Sequence, residues 1–207
     1  MAVITMPTTL ILGRQAFKQR RFDISEVSDI TGKQAARLLG PPRWGVSIAS
    51  PSNMSRDNGN IWEAMLMQLR GSINILAVWD VNKPAPMGTM RGTPTLSANA
   101  TAGATSLALT GTGANTTLKI GDWLQVGTGH GNSQLVKVIT NVTFSAGGVG
   151  NVTIEPPLRK LISSGQPITW DKPVGYYRMV GSEFSWNAVP GAILTEGYGV
   201  ELLEDFG

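Results

Sequence analysis

The only histidine of this 207-residue chain, His130, lies in "GDWLQVGTGHGNSQLVKVITNV", a stretch dense in glycine with Asp122 just upstream. An imidazole so placed could act as a general base, given an orienting acid and a nucleophile nearby. Glycines opening onto a helix could instead cradle a phosphate. A phosphate loop requires G-x-x-x-x-G-K-[ST] ahead of a helix. Here "GTGHGNS" has no Lys-Ser/Thr pair, and "QLVKVITNV" beyond it is β-branched and strand-like. A dinucleotide fingerprint fails for the same reason. The segment therefore reads as a hairpin loop whose glycines supply positive φ. On that reading His130 is a solvent-exposed loop residue and Asp122 the polar start of a strand.

Other catalytic chemistry finds little support. The chain has no cysteine, which removes thiolate catalysis, disulfides and cysteine-held metals. A lone histidine rules out a polyhistidine site within one chain. No G-x-S-x-G elbow is present, and Glu201, Glu204 and Asp205 read as a solvated tail rather than as paired catalytic acids. The methionines of "WEAMLMQL" fall at helical spacing, as core residues do. The six tryptophans are spread over separate elements and suit core anchoring. The sequence thus predicts no catalytic, cofactor-binding or metal-ligating residue, and a protein that is not an enzyme.

The elements that carry these residues are mostly short and bounded by Gly or Pro. "RWGVSIAS" alternates as a strand with Trp44, Val46 and Ile48 on one side. "NIWEAMLMQLRG" has helix period, with Asn60 and Glu63 spaced as a capping box and Gly71 placed to stop it. "SINILAVWD" returns to strand, with Ile73, Ile75, Ala77 and Trp79 facing one way. Beyond Lys83 the texture becomes rich in Pro, Gly, Ala and Thr. "TSLALTG", "LKIGDWLQVG", "SQLVKVITNV", "VGNVTIEP" and "QPITWD" then follow as short β candidates. After Pro173 longer aromatic segments resume, alternating at Phe184, Trp186 and Ala188 and at Tyr198, Val200 and Leu202. The fold class expected is mainly β, with one short helix in a discontinuous outer domain (1–90 and 171–207) and a small β-barrel or sandwich (91–170) inserted in it.

No run approaches the ~18 apolar residues of a membrane helix, and the N-terminus lacks the charge and cleavage pattern of a signal peptide. A soluble protein made in the cytoplasm is expected, with no membrane insertion. The sequons at Asn99, Asn115, Asn141 and Asn151 then reflect a Thr- and Asn-rich β sequence.

Taken in order, "DNGNIWEAMLMQLRGSINILAVWD", "AGATSLALTGTGANTTLKIGDWLQVG", "QLVKVITNVTFSAGGVGNVTIEPPLRKLI", "ITWDKPVGYYRMV" and "FSWNAV" resemble the distal tail proteins of long-tailed bacteriophages. The pairing of "LKIGDWLQVG" with "IEPPLR" is the most specific part. The resemblance spans about residues 44 to 190, and the first forty residues match nothing in it. It implies a structural virion protein with a split β-barrel core and a projecting β insert. Six copies would form a homohexameric ring at the distal end of the virion tail, between the tail-tube ring and the hub or tip proteins, assembled in the bacterial host cytoplasm.

A closed ring joins two different patches of one subunit. The net charge of +3 is unevenly placed. Arg14, Lys18, Arg20 and Arg21 crowd one end, and Glu196, Glu201, Glu204 and Asp205 the other. These are either ordinary solvated charges, since exposed pairs contribute only ~0–1 kcal/mol, or complementary subunit-interface patches. An alternative function is a carbohydrate-binding module in which an exposed Trp123 or Trp170 contacts host glycan. Nucleic-acid binding is not expected, because the basic cluster has only Phe17 and Phe22 as stacking partners.

Overall fold

Alternating apolar residues carry most of the chain into strands. In the computed structural model, which describes residues 1–189 and 194–207, the protein is mainly β with one helix. The first third contains β1 (Val3–Thr5), β2 (Arg14–Val27), β3 (Gln34–Ala49), β4 (Met54–Ser55), α1 (Arg56–Leu69) and β5 (Ile75–Val78). The middle holds β6 (Thr95–Leu96), β7 (Ser106–Thr110), β8 (Thr117–Leu118), β9 (Trp123–Gly127), β10 (Ser133–Val138), β11 (Val142–Thr143), β12 (Gly150–Glu155) and β13 (Ile168–Thr169). The chain ends with β14 (Gly175–Met179), β15 (Asn187–Val189), β16 (Leu194–Glu196) and β17 (Gly199–Glu204).

Strands from both ends of the chain form one six-stranded sheet, ordered β1-β5-β14-β17-β3-β2. Only β1 and β5 in it run parallel. Trp44, Val46 and Ile48 of β3 are buried as their alternation predicts, and so are Tyr198, Val200 and Leu202 around β17. They share a core with Trp62, Met65, Leu66 and Leu69 of α1.

Two local expectations are corrected. The helix begins at Arg56, ahead of the anticipated Asn60 cap, from an extended Ser55 whose side chain makes no capping bond. Asp57 lies in the first turn, where the helix dipole favours an acid. The left-handed cap at the far end is Arg70, with Gly71 also at positive φ. In β5 all four residues are buried, because both faces of this strand are covered, while Ile73 lies outside it and is exposed.

The middle segment builds the second six-stranded sheet, β13-β9-β10-β12-β7-β6. Its two edges meet: the Leu96 amide donates to the Gln166 carbonyl (3.0 Å) and the Ile168 amide to the Pro94 carbonyl (2.9 Å). The sheet thereby curls round its own core of Leu107, Leu109, Leu124, Val126, Val136 and Ile154. Strand β9 serves both cores. Leu124 and Val126 point into the second, whereas Trp123 turns into the first, tilted against Phe17 (5.3 Å) and edge-on to Trp44 (4.9 Å).

The first forty residues form a feature that their sequence does not announce. Strands β2 and β3 stay paired from Arg14↔Ala49 out to Val27↔Gln34, whereas β17 pairs with β3 no further than Gly45. Beyond irregularities around Phe22 the ribbon continues as a two-stranded arm, exposed on both faces. With neither face buried, no apolar alternation was selected, and so none could be read.

Candidate functional site

The glycine stretch is a hairpin turn between β9 and β10, with Gly127, Gly129 and Gly131 at φ of 81°, 75° and 78°. His130 is not solvent-exposed. Its side chain is 11% accessible, and its Nε2 lies 2.6 Å from Asp205 Oδ2, beside the edge of the Tyr176 ring. The other Asp205 oxygen accepts from Arg178 Nε at 3.0 Å. An oriented imidazole is half of a general-base device, but no hydroxyl is hydrogen-bonded to it among the described residues. The described residues also contain no cluster of three or more His, Cys, Asp or Glu that could hold a metal.

Asp122 is likewise more than a strand start. Fully buried, its carboxylate accepts the backbone amides of Met87 (2.8 Å), Lys119 (2.7 Å) and Gly88 (3.3 Å). It pins the connector leaving the first sheet to the entry of β9.

The acidic end of the chain is largely engaged within the molecule, and the solvated-tail reading is overturned for two of its acids. Glu204 is 3% exposed, ion-paired to Arg159 and accepting the Trp44 amide at 2.7 Å. Arg159 also stacks on Phe206 (3.5 Å), whose ring Arg43 approaches as well (4.4 Å). Burial pushes the Glu204 carboxyl above its usual range, with Arg159 offsetting part of the rise. Asp205 behaves differently. Burial alone would raise its carboxyl, but the bonds from Arg178 and His130 outweigh that and leave it below the ordinary value. Glu201 remains exposed, 3.4 Å from Lys18. Glu196 joins no ion pair found among the described residues.

The basic stretch divides in the same manner. Arg21 reaches Glu155 of the second sheet at 2.8 Å, and Arg20 lies over Phe22. Arg14 and Arg20 are exposed and outside every ion pair found among the described residues. Of the eight charges singled out by sequence, Lys18 and Glu201 meet within the first sheet, whereas Arg21, Glu204 and Asp205 reach across to Glu155, Arg159 and His130 of the middle segment. These contacts, with Trp44 Nε1 donating to the Leu135 carbonyl (3.0 Å) and Trp123 Nε1 to Asp80 (3.0 Å), clasp the two sheets together.

The chain matches no protein-family model and no curated protein.

The tryptophans named for glycan contact are placed unfavourably for it. Trp123 is 3% exposed, and Trp170 is half-buried with its Nε1 bonded to the Gly92 carbonyl and Arg91 over its ring. No helix of the described residues is long and apolar enough to cross a membrane. Sequence reasoning missed His130, Asp122, Arg159 and Glu204 as organising residues. The "GDW" start of β9, an acid among glycines ahead of a strand, was the available signal for Asp122; Arg159 and Glu204 are far apart in sequence.

Proposed function

We propose that this protein is a structural component of a phage tail tip, six copies forming a ring that joins the tail tube to the hub and receptor-binding apparatus. The observation that carries the reading is the pair of clasped β cores. A sheet assembled from both chain ends is joined to a second β unit formed by the segment between them, an arrangement that supports the split core and β insert the resemblance implies. The buried Arg159–Glu204 pair and the shared Trp123 hold the two together, as a stiff block would require. Stiffness suits a part that transmits geometry between rings. The described site residues, bound to one another, favour scaffold over catalysis.

Light scattering with negative-stain imaging tests the reading. A ring with a central hole and a mass near 132 kDa, six times the 22.0 kDa chain, is expected. Assembly onto purified tail-tube rings would satisfy it equally. A protein that stays monomeric with and without such rings overturns it.

A further inference from the structure

We propose that the β2–β3 arm is the docking element between copies of this chain, seating on the β1 edge of the neighbouring copy's six-stranded sheet so that copies join head to tail. The inference rests on the ring reading above and names the surfaces that would make the ring.

Three observations point to this occupant. First, the arm is costly to leave free. A two-stranded ribbon is at best marginally stable in water, yet from Asp23 to Leu39 it has, among the described residues, no third strand beside it and no core beneath it. Its apolar residues face solvent on both sides. Ile24 and Leu39 flank a shallow groove on it, Val27 and Leu38 are also exposed, and Ile30 at the turn is 95% exposed. Soluble monomers seldom display such a concentration in one projection.

Second, the same sheet carries a matching patch on its far edge. β2 and β1 are its two edge strands. At the β1 edge Val3 and Ile73 are exposed, and Met1 lies beside them against Arg178, which also binds the Ile73 carbonyl. Two apolar patches on opposite edges of one sheet are the arrangement of a heterologous interface, which forms rings when its rotation closes.

Third, the charges agree with head-to-tail docking and oppose arm-to-arm pairing. The acids of the arm and its turn, Asp23, Glu26 and Asp29, lie on the β2 side, and its bases Lys33 and Arg37 on the β3 side. Exposed Arg70, whose carbonyl accepts the Ile73 amide, stands at the β1 corner outside every ion pair among the described residues. An acidic β2 edge meets this corner favourably, whereas two β2 edges laid together would oppose like charges.

Single-cysteine variants provide the test, because the chain has no cysteine of its own. Val27→Cys and Ile73→Cys proteins, one isotopically labelled, are mixed at high concentration, oxidised and weighed. Mixed disulfide dimers in excess of either self-pair are expected. Replacing residues 23–39 by an Asn-Gly turn is expected to abolish rings and mixed dimers while the denaturation midpoint of the remaining sheet holds. Glu26→Arg should weaken association, and a partner bearing Arg70→Glu should restore it. Rings unchanged by arm removal would overturn the docking role and leave the ring reading standing. Preferential Val27–Val27 cross-links would replace head-to-tail docking with arm pairing. Absence of both rings and cross-links, with purified tail-tube rings present as well as without them, would overturn the two together.

Discussion

The Lys18 side chain crosses β3 directly over Gly45 to reach Glu201 on β17. A Cβ built on Gly45 would sit 2.9 Å from both Lys18 Cγ and Cε. Gly45 thus keeps a channel open through which charges on two strands that are not neighbours meet.

Filling that channel tests the arrangement. Gly45→Ala forces only a flexible side chain aside, and both charged groups are more than half exposed, so a loss of at most about 1 kcal/mol in urea denaturation is expected. Lys18→Ala alone should be close to neutral. Combining the two should cost no more than Gly45→Ala alone, and a much larger combined loss would show that Gly45 does something other than make room for Lys18.

The buried pair should behave in the opposite manner. Arg159→Met keeps the apolar stem but strands the Glu204 carboxylate, and breaking such a pair costs about 3–5 kcal/mol. Adding Glu204→Leu removes the orphaned charge and should recover most of the loss. A double-mutant cycle in guanidinium measures this, and a double variant no better than Arg159→Met would refute the account.

Acid titration separates Asp205 from Glu204. The folded Asp205 carboxyl lies below the ordinary value of ~3.9. Its contribution is therefore complete above about pH 4 and is lost as pH falls through the folded value. Glu204 is raised by burial. The folded state binds its proton first, so the charged form costs stability at neutral pH and acidification relieves that cost. Denaturation midpoints from about pH 7 to about pH 3 should fall less steeply on the acid side in Asp205→Asn, and more steeply in Glu204→Gln.

Asp122 offers a local readout. Asp122→Ala leaves three backbone amides without their acceptor and is expected to cost about 2–3 kcal/mol. Asp122→Asn keeps an accepting oxygen and should cost less. Hydrogen exchange at Gly88 and Lys119 should quicken in the alanine variant while β12 amides stay protected. Uniform loss of protection would mean that the connector is not a separate unit.

Much of the β architecture was legible because burial on one face imprints period two. Trp44, Val46 and Ile48 are an example; the glycines around His130 were legible for another reason, since a tight turn needs their positive φ. The helix start was hidden because Asn58-Gly59 carries the signature of a turn, and buried Gly59 is nevertheless helical. The arm was invisible for a different reason: a ribbon wet on both faces leaves no pattern. The clasp was invisible because Glu204 reads as a tail acid until Arg159, brought in from the connection after β12, is beside it. Local signals report local burial, and pairings between distant segments leave none.

The position of β17 has a consequence for how the protein is made. Although β17 follows every other strand of the first sheet in sequence, it lies inside that sheet, between β14 and β3, rather than at its rim. Residues 95–169 contain every strand of the second sheet and can close their core while synthesis continues. The first sheet must wait with β3 unpaired on one side until residue 204 emerges, a long-range closure of the slow kind. Nascent chains are thus held from completing the outer sheet until β17 has been made, well after the second core can have closed.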